Sequence, residues 1–314
     1  MNMNFSRIRF ASRFVLSIFV LLFLSTRPVK AAEKNNWIND STSTSTQTEA
    51  IAFINNIPEL LPSAFWPNIK PALFLQNLKT NINNPMSIYP GSGTNFCGYG
   101  ALSYLLLEDD PLGYAKLLLD LYKDGKASFG KAVFTPSETI KMQAGQLKFK
   151  GILDIRPAEQ MWYLVLADHF KGYLNIFNHK YDPGDENTFW ASVNYAKFNR
   201  MLRTLLNFKV RAIGFDLIHP PIDDVYTYLS EKLTQGSVVL FINNRIVHKK
   251  NHVQIKAAVP THFIVLKRIS RTDDMVTLVY WDYGSRTLLQ LSTNFLRKII
   301  FGITTCTKNN NANK

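Results

Sequence analysis

Cysteine is scarce in this chain: only Cys97 and Cys306 occur among 314 residues. At most one disulfide is therefore open to it, joining Cys97 to Cys306 across a very long loop and silencing both thiols. Phosphate-cradling glycine loops are missing too. Gly91 and Gly93 are too few, and no Lys-Ser/Thr pair follows them. The chain has no RNP-like, zinc-finger or helix-turn-helix signature. Its densest basic patch, Arg245 to Lys256, lacks the interleaved aromatics of a single-strand binder, so nucleic acid is not an expected partner. His248 and His252 lie four apart without an accompanying acid, and His169, His179 and His219 have no ligand partners in the sequence around them. Neither a metal nor a cofactor is expected. There is no internal repeat.

What is present points to a globular chain. Hydrophobic residues make up 46% and charged residues 19%, a balance that suits a packed core. Residues 1–31 read as a signal peptide. Arg7, Arg9 and Arg13 form a basic n-region, Phe14 to Leu24 is apolar, and Val29 and Ala31 suit a signal-peptidase cut. That apolar run falls short of the ~20 residues a spanning helix needs, so the membrane enters only if this segment stays uncleaved. No cysteine follows it to support lipoprotein processing. The expected destination is therefore export, to the periplasm or beyond. Arg7, Arg9, Arg13, Arg27 and Lys30 leave with the signal, taking the formal charge from +13 down by five to +8. That surplus is weak grounds for a polyanionic partner.

Residues 32–48 form a Ser/Thr/Asn-rich linker expected to be disordered, and 307–314 a disordered tail. Helices are expected over Glu49 to Leu61 and Phe65 to Lys79. More follow over Pro111 to Lys123, Pro136 to Gln146, Pro157 to Leu174 and Glu186 to Phe208, several opened by proline. After Phe208 the period changes. A strand over Val210 to Phe215, an amphipathic helix over Pro221 to Thr234, and a strand over Ser237 to Asn243 come first. His262 to Arg268, Met275 to Asp282, Arg286 to Leu291 and Ile299 to Thr305 then read as strands. Helices first and an antiparallel sheet last define an α+β class.

Two residues in that sheet carry chemistry. The polar run Ser270 to Asp274 supplies a turn between two strands, and a turn centred on Thr272 sets His262 opposite Asp282. An imidazole oriented by a carboxylate is how a general base is held in one tautomer. The matching nucleophile is Cys97, in the string Gly93-Thr94-Asn95-Phe96-Cys97-Gly98-Tyr99-Gly100-Ala101, where a polar loop becomes a helix. A helix N-terminus and a nearby imidazolium each favour a thiolate. The Cys97 amide would face a developing oxyanion. Small residues at 98, 100 and 101 allow a substrate or a facing sheet to approach. The competing readings are an inert buried thiol, a core histidine satisfied by backbone, and an aspartate serving the Tyr283-Gly284 turn.

Asn95 to Leu102 resembles the nucleophile helix start of papain-like cysteine peptidases, most of all the bacterial subgroup similar to bacteriocin-leader peptidases. The order Leu233-Thr234-Gln235-Gly236, SVVLFIN, then Thr261 to Leu266 is similar to that group's helix, glycine, strand and histidine strand. Tyr280 to Gly284 is similar to the strand ending in the third catalytic residue. The resemblance covers about residues 86–105 and 221–305. It implies a papain-like domain over 49–306, interrupted by a helical insertion at 109–208, with Cys97, His262 and Asp282 as a catalytic triad. The expected activity is that of an exported cysteine hydrolase acting on a protein, peptide or peptidoglycan-like amide through an acyl-thioester. The family's upstream glutamine is absent, since none lies between Gln76 and Gln143; Asn95 is the candidate substitute as oxyanion donor. That gap also leaves open a catalytically inactive papain-like domain that binds a partner.

Overall fold

The computed structural model describes residues 43–91, 93–147, 155–243 and 260–309, all within one compact unit. The expected signal segment, most of the expected linker, the basic patch with His248 and His252, and the extreme C-terminus lie outside the described residues. Among those described, none of the helices is long and apolar enough to cross a membrane.

The chain is α+β. Helices α1 (Gln47–Asn55), α2 (Pro71–Asn83), α3 (Cys97–Asp109) and α4 (Pro111–Asp124) come first, then a small hairpin, β1 (Ala127–Phe129) with β2 (Ala132–Phe134). Helices α5 (Glu138–Gln143), α6 (Pro157–His169) and α7 (Tyr195–Leu205) follow. The main sheet is built from β3 (Phe208–Gly214), β4 (Ser237–Ile242), β5 (His262–Thr272), β6 (Met275–Asp282), β7 (Ser285–Ser292) and β8 (Ile300–Lys308). Helix α8 (Val225–Gln235) precedes β4, and α9 (Thr293–Ile299) precedes β8. Strand order is β3-β8-β4-β5-β6-β7, and each neighbouring pair is antiparallel.

The middle of the sheet is buried on both sides, which is why β4 and the start of β5 read as unbroken apolar runs rather than alternating ones. Val239, Phe241, Phe263, Val265 and Trp281 join the core of helices α1 to α7. Val238, Leu240, Ile264, Leu266 and Tyr280 join a second core beneath α8 and α9. Helix α3 lies at the centre of the first core. Of its 13 residues only Glu108 is exposed, as expected of a helix apolar all round.

Local chemistry moves several boundaries. Helix α1 starts two residues inside the expected disordered linker, because Thr46 and Glu49 form a capping box. Thr44 and Ser45 anchor this start to Asp109 and Asp110. It stops at Asn55, before Pro58. Helix α2 waits for Pro71 at its first position, and α6 ends at His169. The expected helix from Glu186 forms only from Tyr195, capped by Asn194. The insertion is not purely helical, since β1 and β2 lie in it, and β8 runs through Lys308 into the expected tail. Helix α9, capped by the Ser292 hydroxyl, occupies a stretch read as the approach to a strand.

Candidate active site

Cys97 is the first residue of α3, His262 the first of β5 and Asp282 the last of β6. These three element ends converge. His262 Nε2 lies 2.5 Å from Asp282 Oδ1, and Cys97 is near enough to the same imidazole to help raise its pKa. The thiol also reaches the backbone carbonyl of Thr261, 3.7 Å from Sγ. All three side chains are buried, His262 completely.

The route to that meeting differs from the one expected. The hairpin turns on Asp273 and Asp274 rather than on Thr272, so Thr272 pairs with Met275 and Ile269 with Leu278. Continued unchanged, that register would set Val265 opposite Asp282 and send His262 to the other face. Lys267 prevents this. It is the extra residue of a bulge between Leu266 and Arg268, after which Leu266 pairs with Tyr280 and Val265 with Trp281. The bulge restores the shared face. His262 then stands two positions along from the residue opposite Asp282, a diagonal neighbour whose side chain spans the gap. Lys267 itself turns to α3, where its Nζ meets Glu108 at 2.8 Å and sits over the Tyr104 ring.

Glycines let the sheet and its neighbouring loops close on α3. A Cβ at Gly100 would lie 3.0 Å from both Trp281 and Pro90, and one at Gly98 would lie 2.9 Å from Val193. Trp281, next to Asp282, stacks on Tyr104 of α3 with ring centroids 5.5 Å apart. The small residues after Cys97 therefore serve the close approach of the protein's own side chains.

The electrostatics follow from burial and charge. Burial alone would push the His262 pKa down. The Asp282 carboxylate and its hydrogen bond, with Cys97 adding to both effects, overcome this and raise it to about 9. The imidazole is thus a cation at neutral pH. Asn95 does not take the expected oxyanion role. Its two amide hydrogens go to Thr188 O at 2.8 Å and Ser192 Oγ at 3.1 Å, and its backbone N–H to Glu186 O at 2.7 Å. Asn95 instead ties the start of α3 to Glu186, Thr188 and Ser192.

Both cysteines are free, so the possible disulfide is not made. Cys306 lies within β8, opposite Val210 of β3 and opposite Ser237, the first residue of β4. Among the described residues no three His, Cys, Asp or Glu side chains group as a metal site. Two neighbours were not legible as part of the site. Tyr283 stacks on the His262 ring with centroids 4.4 Å apart. Lys197, buried behind the helix start, donates to Tyr99 Oη, Asn175 Oδ1 and Ser192 O. Burial, and then the charges of Lys171 and Arg200, push its pKa down to about 6. A bulky residue before Gly284 was a signal for the first; nothing in the sequence marked the second. No family model, curated protein or solved structure matches the chain.

Proposed function

We propose that this chain is an exported papain-like cysteine hydrolase acting on a peptide or isopeptide amide. One observation carries the proposal: a buried imidazole held by a carboxylate at 2.5 Å has beside it a thiol at a helix N-terminus, whose sulfur lies 3.7 Å from the carbonyl oxygen of the residue before that histidine. With Nε2 engaged by Asp282, proton exchange with the sulfur falls to Nδ1. Imidazolium beside sulfur favours the thiolate.

The thiolate attacks the carbonyl carbon, and the new oxyanion meets the Cys97 amide, one of the helix-start N–H groups without an intrahelical acceptor. Collapse expels the amine, which takes the proton from His262, and leaves an acyl-thioester. Water then attacks this ester as His262 removes its proton, releasing the acid and restoring the thiol. Asp282 keeps the ring oriented throughout. The substrate is a protein, a peptide or a peptidoglycan-like amide. Clearing of a peptidoglycan suspension against cleavage of a denatured protein separates these.

The second reading, an exported papain-like domain that binds without cleaving, is favoured by the engagement of Asn95 elsewhere. Lacking a second donor costs about 10²–10³ in rate. Alkylation by iodoacetamide at pH 7, followed at the Cys97 peptide by mass spectrometry, tests the reactive pair. His262→Ala should slow it at least about tenfold. Equal rates would mark Cys97 as an ordinary thiol and end the hydrolase proposal.

A further inference from the structure

Two non-glycine residues among those described have positive φ, Asp273 at 51° and Tyr283 at 42°. Each takes the first loop position of a hairpin, between Thr272 and Met275 and between Asp282 and Ser285. Aspartate tolerates left-handed backbone well, because its short polar side chain bonds locally. Tyrosine has no such compensation, and a bulky residue there is an outlier. The second hairpin has the two-residue loop Tyr283-Gly284 with φ positive at both positions, as a type I′ turn requires, and Asn-Gly is the pair that suits it best. The sequence therefore carries a poor turn residue next to Asp282. Its ring lies nearly parallel to the imidazole of His262, 16° between planes.

We infer that Tyr283 is a positioning residue, kept in strained backbone because its ring braces the His262 imidazole against Asp282. This rests on the reading of Cys97, His262 and Asp282 as a reacting set. Strain at one residue persists where the surroundings over-determine it, and such residues gather at functional sites. The hairpin tip is fixed by packing, since a Cβ at Gly284 would lie 3.2 Å from the carbonyl oxygens of Ser87 and Ile88. From that anchored turn the ring does two things. Its face attracts the imidazolium that Asp282 maintains, and its bulk limits rotation of the imidazole about its bond to Asp282. Among the described residues, the titratable groups meeting the imidazole include Asp282 from β6, Cys97 from α3 and Tyr283 itself.

The experiment uses the full chain and two variants. Tyr283→Asn removes the ring and installs the preferred turn residue; Tyr283→Phe keeps the ring. Three readouts are thermal melting, the rate of Cys97 alkylation by iodoacetate, and the NMR titration of the His262 imidazole. Tyr283→Asn should melt no lower than wild type, yet alkylate roughly 3- to 30-fold more slowly at neutral pH. Its imidazole should titrate below the wild-type value near 9. Tyr283→Phe should match wild type in all three. A melting point well below wild type in Tyr283→Asn would overturn the inference, since the ring would then serve packing. So would unchanged alkylation and titration in that variant. A wild-type imidazole titration that ignores blocking of Cys97 would sink the underlying reading instead, and this inference with it.

Discussion

The chain contains its own control, because its two cysteines share one core and differ in company. Cys97 and Cys306 are both free, both buried, and both counted in the helical side's apolar cluster. Cys306 sits within a strand, held between Val210 of β3 and Ser237 of β4. Burial pushes its thiol up to about 12, with Arg203 only partly offsetting this. Cys97 begins a helix and meets a charged imidazole. Burial alone, then, makes a thiol inert. What separates the two is an element end and a cation, and neither is a property of the cysteine.

The largest effect that would break this contrast is native-state labelling. At pH 8 a thiol with a pKa of about 12 holds about 10³-fold less thiolate than an ordinary one. Iodoacetamide should therefore modify Cys97 at least about 10³-fold faster than Cys306. Unfolding in guanidinium should bring the two rates within a few-fold of each other. Comparable labelling in the native state would show that the surroundings of Cys97 confer nothing.

That contrast was legible in part. The helix start at Cys97 and the bounds of β6 follow from local punctuation and composition: Pro111 opens α4, Gly125 closes it in left-handed conformation, and Met275 to Asp282 is an apolar, β-branched and aromatic run ending at a turn. The register was not legible, because turn centre and bulge are settled by tertiary contacts. Pairing His262 with Asp282 survived only because turn shift and Lys267 bulge together displace the ladder by two residues, which keeps each side chain on its face. The expected helix from Glu186 failed for a different reason. Asn175 binds the carbonyls of Phe189 and Trp190, and Asn95 that of Thr188, so these carbonyls serve as loop acceptors. Sequence period carries no sign of such long-range partners. The same bonds draw Asn95 away from the oxyanion position.

A smaller effect sharpens the comparison through pH. His262 has a folded pKa near 9 against about 6.5 unfolded. Its contribution to stability is thus fully present below about 6.5 and lost as pH rises through 9, of order 3 kcal/mol in all. Lys197, with its folded pKa lowered to about 6, acts in the opposite sense across an overlapping window. The difference between wild type and His262→Ala, measured by urea unfolding from pH 6 to 9.5, isolates the histidine. The stability gap should shrink as pH rises. A gap independent of pH would mean that Asp282 does not hold His262 charged.

The smallest effect belongs to Cys306, where the contrast demands that little happen. Its sulfur is an apolar filler in β8, so Cys306→Ala should lose about 1 kcal/mol of stability, the worth of one small buried group. Part of that loss should fade above about pH 8.5. There the unfolded thiol ionises while the buried one, raised to about 12, does not, so the wild type forfeits the same stability the variant already lacks. Alkylation at Cys97 should be unchanged across the whole range, because no element end or charged group links the two sulfurs. A shifted Cys97 profile in Cys306→Ala would mean that the core couples the thiols. Reactivity at Cys97 could then no longer be assigned to His262 and the helix terminus alone.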